Sequence, residues 1–186
     1  MKKQKLFLKA ILCFATLLIF NQANAQCNWN CEPTLLCKDM SLGDNQNPSE
    51  PDPCPLVFCI EQQLECGGTI CASYAEVCSE ILHKHSPPYS QLCYRSTVGD
   101  SPDGNCAGCS MKTISVKVYR KFNGGTTFAT ISLTSTEITS LMNLLNGGGG
   151  SGVSFQGVLN DCEGGTIFSR VQVLGYPGGG FYTVIN

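Results

Sequence analysis

The segment CPLVFCIEQQLECGGTICASYAEVC, residues 54–78, lies in the middle of a cysteine-rich run that extends from Cys27 to Cys109. The run holds eleven cysteines, which are Cys27, Cys31, Cys37, Cys54, Cys59, Cys66, Cys71, Cys78, Cys93, Cys106 and Cys109. Only Cys162 follows it. Because eleven is odd, disulfides within the run cannot use every cysteine. One of these thiols is therefore expected to pair with Cys162, to pair with another molecule or to stay reduced.

Residue spacing in the same segment predicts two short helices. Pro55 suits the first position of a helix that extends to Glu65, and Gly67 follows its end. A second helix is expected from about Ile70 to Lys84, because one set of residues recurs at helical spacing: Cys71, Tyr74, Ala75, Cys78 and Leu82. We therefore expect residues 26–110 to form a partly helical region in which disulfides hold a helical hairpin together.

Residues 1–25 have the three regions of a secretory signal peptide. Four lysines and no acidic residue precede an apolar run from Ala10 to Phe20, and Ala23 and Ala25 mark a cleavage site before Gln26. The apolar run is shorter than the roughly 20 residues that a membrane-spanning helix needs. We therefore expect a secreted, periplasmic or cell-surface protein without a membrane span, in which cleavage has removed Cys13.

The cysteines left after cleavage are expected to form disulfides, because an exported chain meets an oxidising compartment. Each bridge typically contributes about 2–4 kcal/mol to stability. Cys106 and Cys109 have the C-x-x-C spacing of half a zinc site, but the sequence has no second such pair. We expect no bound metal or cofactor. For Cys162 we favour an internal bridge to Cys106 or Cys109 over a bridge between molecules.

Acidic residues are concentrated in the cysteine-rich region. Residues 26–110 hold 11 acidic and 3 basic residues, whereas residues 111–186 hold 3 acidic and 5 basic residues. An acidic product lacks the electrostatic footprint of a nucleic-acid-binding protein. Most of this charge is expected to be solvated. The alternatives are cation binding and head-to-tail attraction between neighbouring copies.

His83 and His85 are the only histidines and follow Glu80 closely. A polar helix end explains them most simply, since cations suit the C-terminus of a helix. The alternative makes them general bases or metal ligands with Glu80 as a helper. The sequence contains no G-x-S-x-G nucleophile motif. We therefore name no catalytic residue beyond these three weak candidates.

Residues 111–186 form a glycine-rich region with an α+β pattern. Alternating residues around Ile114–Tyr119 predict one strand, Thr127–Leu133 gives a second, and the two are expected to form a β-hairpin. A capping box from Thr134 to Glu137 then starts a helix with the apolar stripe Ile138, Leu141, Met142 and Leu145. Three further strands are expected at Val153–Leu159, Thr166–Leu174 and Phe181–Ile185.

The predicted order is strand, strand, helix, strand, strand, strand. One helix would pack on one antiparallel or mixed sheet, which makes the fold class α+β. This order is similar to that of β-grasp domains, a likeness of topology that implies no function. The ending Gly180–Ile185 also resembles the last strand of sorting domains in secreted proteins of some Gram-negative bacteria.

These observations favour a small secreted protein that binds a protein or glycan partner, such as an adhesin, a matrix component or an inhibitor-like module. The aromatic residues expected at its surface are Trp29, Tyr89, Phe181 and Tyr182. The first alternative is a secreted hydrolase or metal-dependent enzyme that uses His83 and His85. The second is a self-assembling surface subunit, driven by the uneven charge and by Cys162.

Overall fold

The computed structural model describes residues 27, 31–43, 51–83, 90–97, 106–122, 129–147, 152–175 and 180–186, with only the backbone at 51–53 and 83. These ranges contain nine strands and one helix. They are β1 (Thr34–Leu42), β2 (Pro51–Cys66), β3 (Thr69–His83), β4 (Ser90–Ser96), β5 (Cys109–Arg120), β6 (Thr130–Ser132), α1 (Ser135–Leu145), β7 (Val153–Asn160), β8 (Thr166–Gly175) and β9 (Phe181–Ile185).

The strands form two sheets that pack face to face. One has the order β4-β1-β9-β8-β7, and the other has the order β3-β2-β5-β6. The described pairs are antiparallel except β1 with β9, which run parallel. Phe58 on β2 and Phe155 on β7 meet edge to face across the sandwich, with ring centroids 6.4 Å apart. Burial of apolar side chains between the two inner faces is the main stabilising contribution.

The partly helical N-terminal region predicted above is wrong, because residues 51–83 form a β-hairpin. Leu56, Phe58 and Ile60 point into the core at the two-residue period of a strand. Gly67, expected to follow a helix end, instead makes the hairpin turn together with Gly68, with φ values of 57° and 82°. Two consecutive residues with positive φ suit a type I′ turn, whose twist matches that of the strands it joins.

In the glycine-rich region the helix is confirmed, and so is the hairpin before it. The Thr134 hydroxyl accepts from the Glu137 backbone N–H, and the Glu137 carboxylate accepts from the Thr134 N–H. However, β5 and β6 belong to the four-stranded sheet, whereas β7, β8 and β9 belong to the five-stranded sheet. The expected single sheet with a β-grasp order is therefore wrong. The predicted boundary at residue 110 falls within β5, and residues from both sides of it share one core.

Ten of the predicted disulfide cysteines form five bridges. Three bridges join directly opposed residues of antiparallel neighbours, with Cα atoms 4.0–4.1 Å apart: Cys37–Cys93, Cys59–Cys78 and Cys66–Cys109. The other two, Cys27–Cys71 and Cys31–Cys106, tie the segment before β1 to the four-stranded sheet and to the segment before β5. The sandwich is thus cross-linked within both sheets.

The predicted bridge from Cys162 to Cys106 or Cys109 is not formed, because Cys106 pairs with Cys31 and Cys109 pairs with Cys66. Cys162 is exposed as a thiol in the turn between β7 and β8. Cys54 is buried on β2, where its carbonyl oxygen accepts from Arg120 Nε at 3.2 Å. The link between the cysteine-rich and glycine-rich regions is therefore made by strand pairing, of β2 with β5 and of β1 with β9.

Candidate functional site

Gln62 joins the two sheets at one end of the sandwich. Its side chain is 1% exposed and lies on the inner face of β2. Gln62 Oε1 accepts from the Arg95 backbone N–H at 2.6 Å, and Gln62 Nε2 donates to the Arg95 carbonyl at 3.0 Å. A primary amide can satisfy both backbone groups because it carries a donor and an acceptor side by side. Gln62 therefore replaces a neighbouring strand at the end of β4 and fixes the position of Arg95.

Two serine side chains extend this junction along β3 and β4. Ser79 Oγ accepts from the Cys93 N–H at 3.0 Å, and Ser90 Oγ accepts from the Leu82 N–H at 2.7 Å. Each hydroxyl thus satisfies a backbone donor on the strand of the other sheet. A buried or half-buried backbone N–H without an acceptor would be costly. Side chains therefore close the sandwich along this edge, where the two strands belong to different sheets.

The Arg95 guanidinium lies at this junction. Its Cζ is 4.6 Å from the centroid of the Tyr74 ring on β3, a cation–π contact. Nη1 is buried and has no hydrogen-bond partner. No described carboxylate forms an ion pair with Arg95. A guanidinium offers five N–H donors, and a buried donor without an acceptor carries a desolvation cost. Within the described ranges, the site thus holds a positive charge that lies over an aromatic face and has no ion-pair partner.

A cleft of about 680 Å³ opens beside Arg95 between the end of β4, the first half of β5 and helix α1. We call it the Arg95 cleft. Two cations line it, Arg95 and Lys112, together with nine uncharged polar residues: Gln62, Ser96, Thr97, Ser110, Thr113, Ser135, Thr139, Asn143 and Asn146. Six residues add apolar surface: Tyr94, Met111, Ile114, Leu133, Ile138 and Met142. None of these lining residues is acidic, although β2 and β3 carry several acidic residues.

The walls of the Arg95 cleft are held by contacts behind them. Tyr94 is 1% exposed, and its hydroxyl donates to Asn146 Oδ1 at 2.9 Å at the C-terminal end of α1. Burial raises the pKa of Tyr94 above its ordinary value. The capping box fixes the other end of α1, and Cys66–Cys109 fixes the start of β5. The cleft is therefore preformed, which lowers the ordering cost of binding.

The predicted catalytic candidates are not brought to this cleft. Glu80 lies exposed on the outer face of β3, where its carboxylate pairs with Lys121 Nζ at 2.6 Å. This hydrogen bond raises the pKa of Lys121. His83 ends β3, but its side chain lies outside the described residues, and so does all of His85.

The predicted surface aromatics also lie away from the Arg95 cleft, as far as the structure describes them. Phe181 and Tyr182 are partly buried on β9, and Phe181 packs against the core. Neither is among the residues that line the cleft. Trp29 and Tyr89 lie outside the described residues.

Among the side chains that the structure describes, one group has the spacing of a metal site, namely Cys59, Glu76 and Cys78. The two sulfur atoms are joined in a disulfide and so offer no thiolate to a metal. The Glu76 carboxylate pairs closely with Lys117 Nζ, and this hydrogen bond raises the pKa of Lys117. The group therefore belongs to the cross-linked outer face of the four-stranded sheet.

Sequence reasoning missed Arg95 and Gln62. Arg95 is one of only three basic residues in the acidic region 26–110, and that isolation was the one signal available. No signal in the sequence distinguishes Gln62, because it is a polar residue like its neighbour Gln63. Its role arises from a contact between residues 33 positions apart.

The chain matches no known family model, no curated protein and no solved structure. Within the described ranges, no helix is long and apolar enough to cross a membrane. Inferences about function therefore rest on the geometry of the chain itself.

Proposed function

We propose that this is an exported binding protein that recognises its partner through the Arg95 cleft. The observation that carries the proposal is the preformed cleft of about 680 Å³, lined by a half-buried Arg95 that has no ion-pair partner among the described residues. Binding sites of this kind combine apolar surface with a few polar groups that set orientation. Met111 and Met142 add flexible, polarisable surface, which suits contact with a partner that is itself irregular.

A cleft-filling substitution tests this proposal. Thr139 on α1 lines the cleft, whereas Thr136 is exposed on the same helix and is not among the lining residues. The wild-type protein, Thr139→Trp and Thr136→Trp are each immobilised and screened against a displayed random-peptide library and a glycan array. We expect ligands that bind the wild type and Thr136→Trp but not Thr139→Trp. Ligands that bind all three proteins equally would place recognition elsewhere and overturn the proposal.

Export belongs to the same proposal. The five disulfides support passage through an oxidising compartment, where such bridges persist. Expression of the full chain with secretion should yield a product whose N-terminal residue is Gln26, its pyroglutamate form included. Intact mass and N-terminal peptide mapping measure this. A product that retains residues 1–25 would contradict cleavage, without bearing on the cleft.

The hydrolase alternative remains a separate hypothesis. It needs His83 and His85 to act together, and replacement of both by Ala is its test. A hydrolytic activity that the wild type has and the double variant lacks would support catalysis. It would also contradict a purely binding role for the protein.

Self-association is a second candidate function, favoured by one surface. Val158 and Phe168 lie opposite each other on β7 and β8 and are 47% and 65% exposed, and the Cys162 thiol is exposed in the turn that joins these strands. A second copy could cover this apolar patch. The charge split favours it less, because Glu76 and Glu80 already pair with Lys117 and Lys121 of the same chain. Sedimentation of the wild type, Cys162→Ser and Phe168→Ser tests it; three monomers would exclude it.

A further inference from the structure

We infer that the Arg95 cleft binds an extended peptide segment and that Arg95 recognises a carboxylate group of this peptide. This inference rests on the proposed function and names the class of ligand that the same cleft takes. The first observation that supports it is the charge of the residues that line the cleft. Arg95 and Lys112 line the cleft, no lining residue is acidic, and the Arg95 guanidinium has no ion-pair partner in the described part of the chain.

A carboxylate would give Arg95, a cation that lines the cleft, the ion-pair partner that it lacks among the described residues. Arg95 is half-buried, and its guanidinium lies over the Tyr74 ring. Hydrogen bonds between charged groups are shorter and stronger than neutral ones, and the planar fork of arginine matches a carboxylate in particular. Because the Gln62 amide binds the Arg95 backbone N–H and C=O, the Arg95 side chain extends from a fixed backbone position. Such preorganisation favours selective recognition over loose attraction.

The remaining lining favours a peptide over an acidic sugar. Hydroxyl and amide groups of residues such as Thr113, Thr139 and Asn143 can pair with peptide N–H and C=O groups. Met111 and Met142 are partly buried and present adaptable apolar surface to side chains. A sugar ring stacks best on an exposed aromatic face. The one aromatic lining residue, Tyr94, is 1% exposed and has its hydroxyl bonded to Asn146.

The test compares two peptides that differ only in charge. The probes are Ac-Ala-Leu-Leu-Glu-amide and Ac-Ala-Leu-Leu-Gln-amide, titrated into uniformly ¹⁵N-labelled mature protein with its disulfides intact. We expect saturable amide shifts at residues 94–97, 110–114 and 138–146. The glutamate peptide should bind about tenfold to a hundredfold more tightly, the range for a hydrogen bond to a charged group. The difference should shrink at high salt, because Lys112 is exposed.

Three variants test whether Arg95 causes the preference for the glutamate peptide. Arg95→Gln should remove the preference for the glutamate peptide, and Arg95→Lys should keep only part of it, since lysine lacks the planar fork. Arg170→Gln is the matched control, because Arg170 is exposed on β8 and is not among the residues that line the cleft. An unchanged dispersion of amide signals will show that each variant is folded.

Each outcome decides between the two proposals. Equal binding of both peptides in the cleft would overturn the carboxylate inference and leave the proposed binding function standing. An unchanged preference in Arg95→Gln would also overturn the inference. Cleft shifts with a galacturonate disaccharide but with neither peptide would overturn the peptide class alone. Both proposals fail if neither the peptides nor the disaccharide shift the cleft amides and the screen yields no ligand whose binding Thr139→Trp abolishes.

Discussion

Replacement of Gln62 by methionine tests the junction on which the Arg95 cleft depends. Methionine has a similar length and no amide, so the variant removes the bonds of 2.6 Å and 3.0 Å between Gln62 and the Arg95 backbone while filling most of the space. The Arg95 N–H and C=O would then lose their partners in a half-buried place. The change isolates hydrogen bonding from packing as far as one substitution can.

The magnitude follows from the two backbone groups left without partners. A buried donor or acceptor that loses its partner costs about 1–3 kcal/mol. Arg95 is only partly buried, so water recovers some of this cost, and the methionine side chain adds a small apolar gain. We expect the free energy of unfolding to fall by about 2–4 kcal/mol. Gln156→Met, on the exposed face of β7, should change it by about 0.5 kcal/mol or less.

Equilibrium unfolding in guanidinium chloride, with disulfides intact, measures this difference. The midpoint should shift with little change in the m value, because the surface exposed on unfolding stays similar. Amide hydrogen exchange provides a local readout: the Arg95 N–H should lose protection in Gln62→Met and keep it in Gln156→Met. Wild-type stability together with an unchanged Arg95 protection factor would refute the role we give to Gln62.

Three further predictions concern the supports of the fold. Tyr94→Phe should cost about 1 kcal/mol at neutral pH through loss of a hydrogen bond. Because burial raises the pKa of Tyr94 in the folded state, its contribution to stability is complete below about pH 10 and is lost as the pH rises above it. The variant should therefore lose less stability than the wild type between pH 9 and pH 11, by denaturant titration. Joint replacement of Cys59 and Cys78 by serine opens a bridge of sequence separation 19 and should cost about 2–4 kcal/mol, and an unchanged melting temperature would contradict this. Thr134→Ala should cost about 1 kcal/mol through loss of the cap on α1, with Ser132→Ala at an exposed position of β6 as the control; equal effects of the two would argue against the capping role.

Local chemistry made some elements predictable. The capping box from Thr134 to Glu137 specifies the start of α1 wherever the helix packs, because its hydrogen bonds lie within one turn. The three C-terminal strands were visible for a similar reason, since β-branched and aromatic residues are frequent in each. Disulfide formation was predictable from cysteine count and the signal-like N-terminus together.

The wrong prediction of helices within residues 54–83 shows that local sequence patterns alone do not determine secondary structure. Cys71, Tyr74 and Cys78 recur at helical spacing, yet β3 is extended because it pairs along β2 through the Gly67–Gly68 turn. Cysteine favours neither helix nor strand strongly. A segment with five cysteines in 25 residues therefore shows only a weak hydrophobic periodicity. Pairing with β2, itself central in its sheet, outweighed the intrinsic preference of the segment.

By itself the sequence determined the features that neighbouring residues control: the capped helix, the late strands, and a supply of cysteines suited to an oxidising compartment. Tertiary structure alone decided which cysteines pair, how the strands divide between two sheets, and where Gln62 meets Arg95. The physical reason is that these outcomes depend on contacts between residues tens of positions apart. Such contacts exist only once the two sheets have packed, and the Arg95 cleft exists only with them.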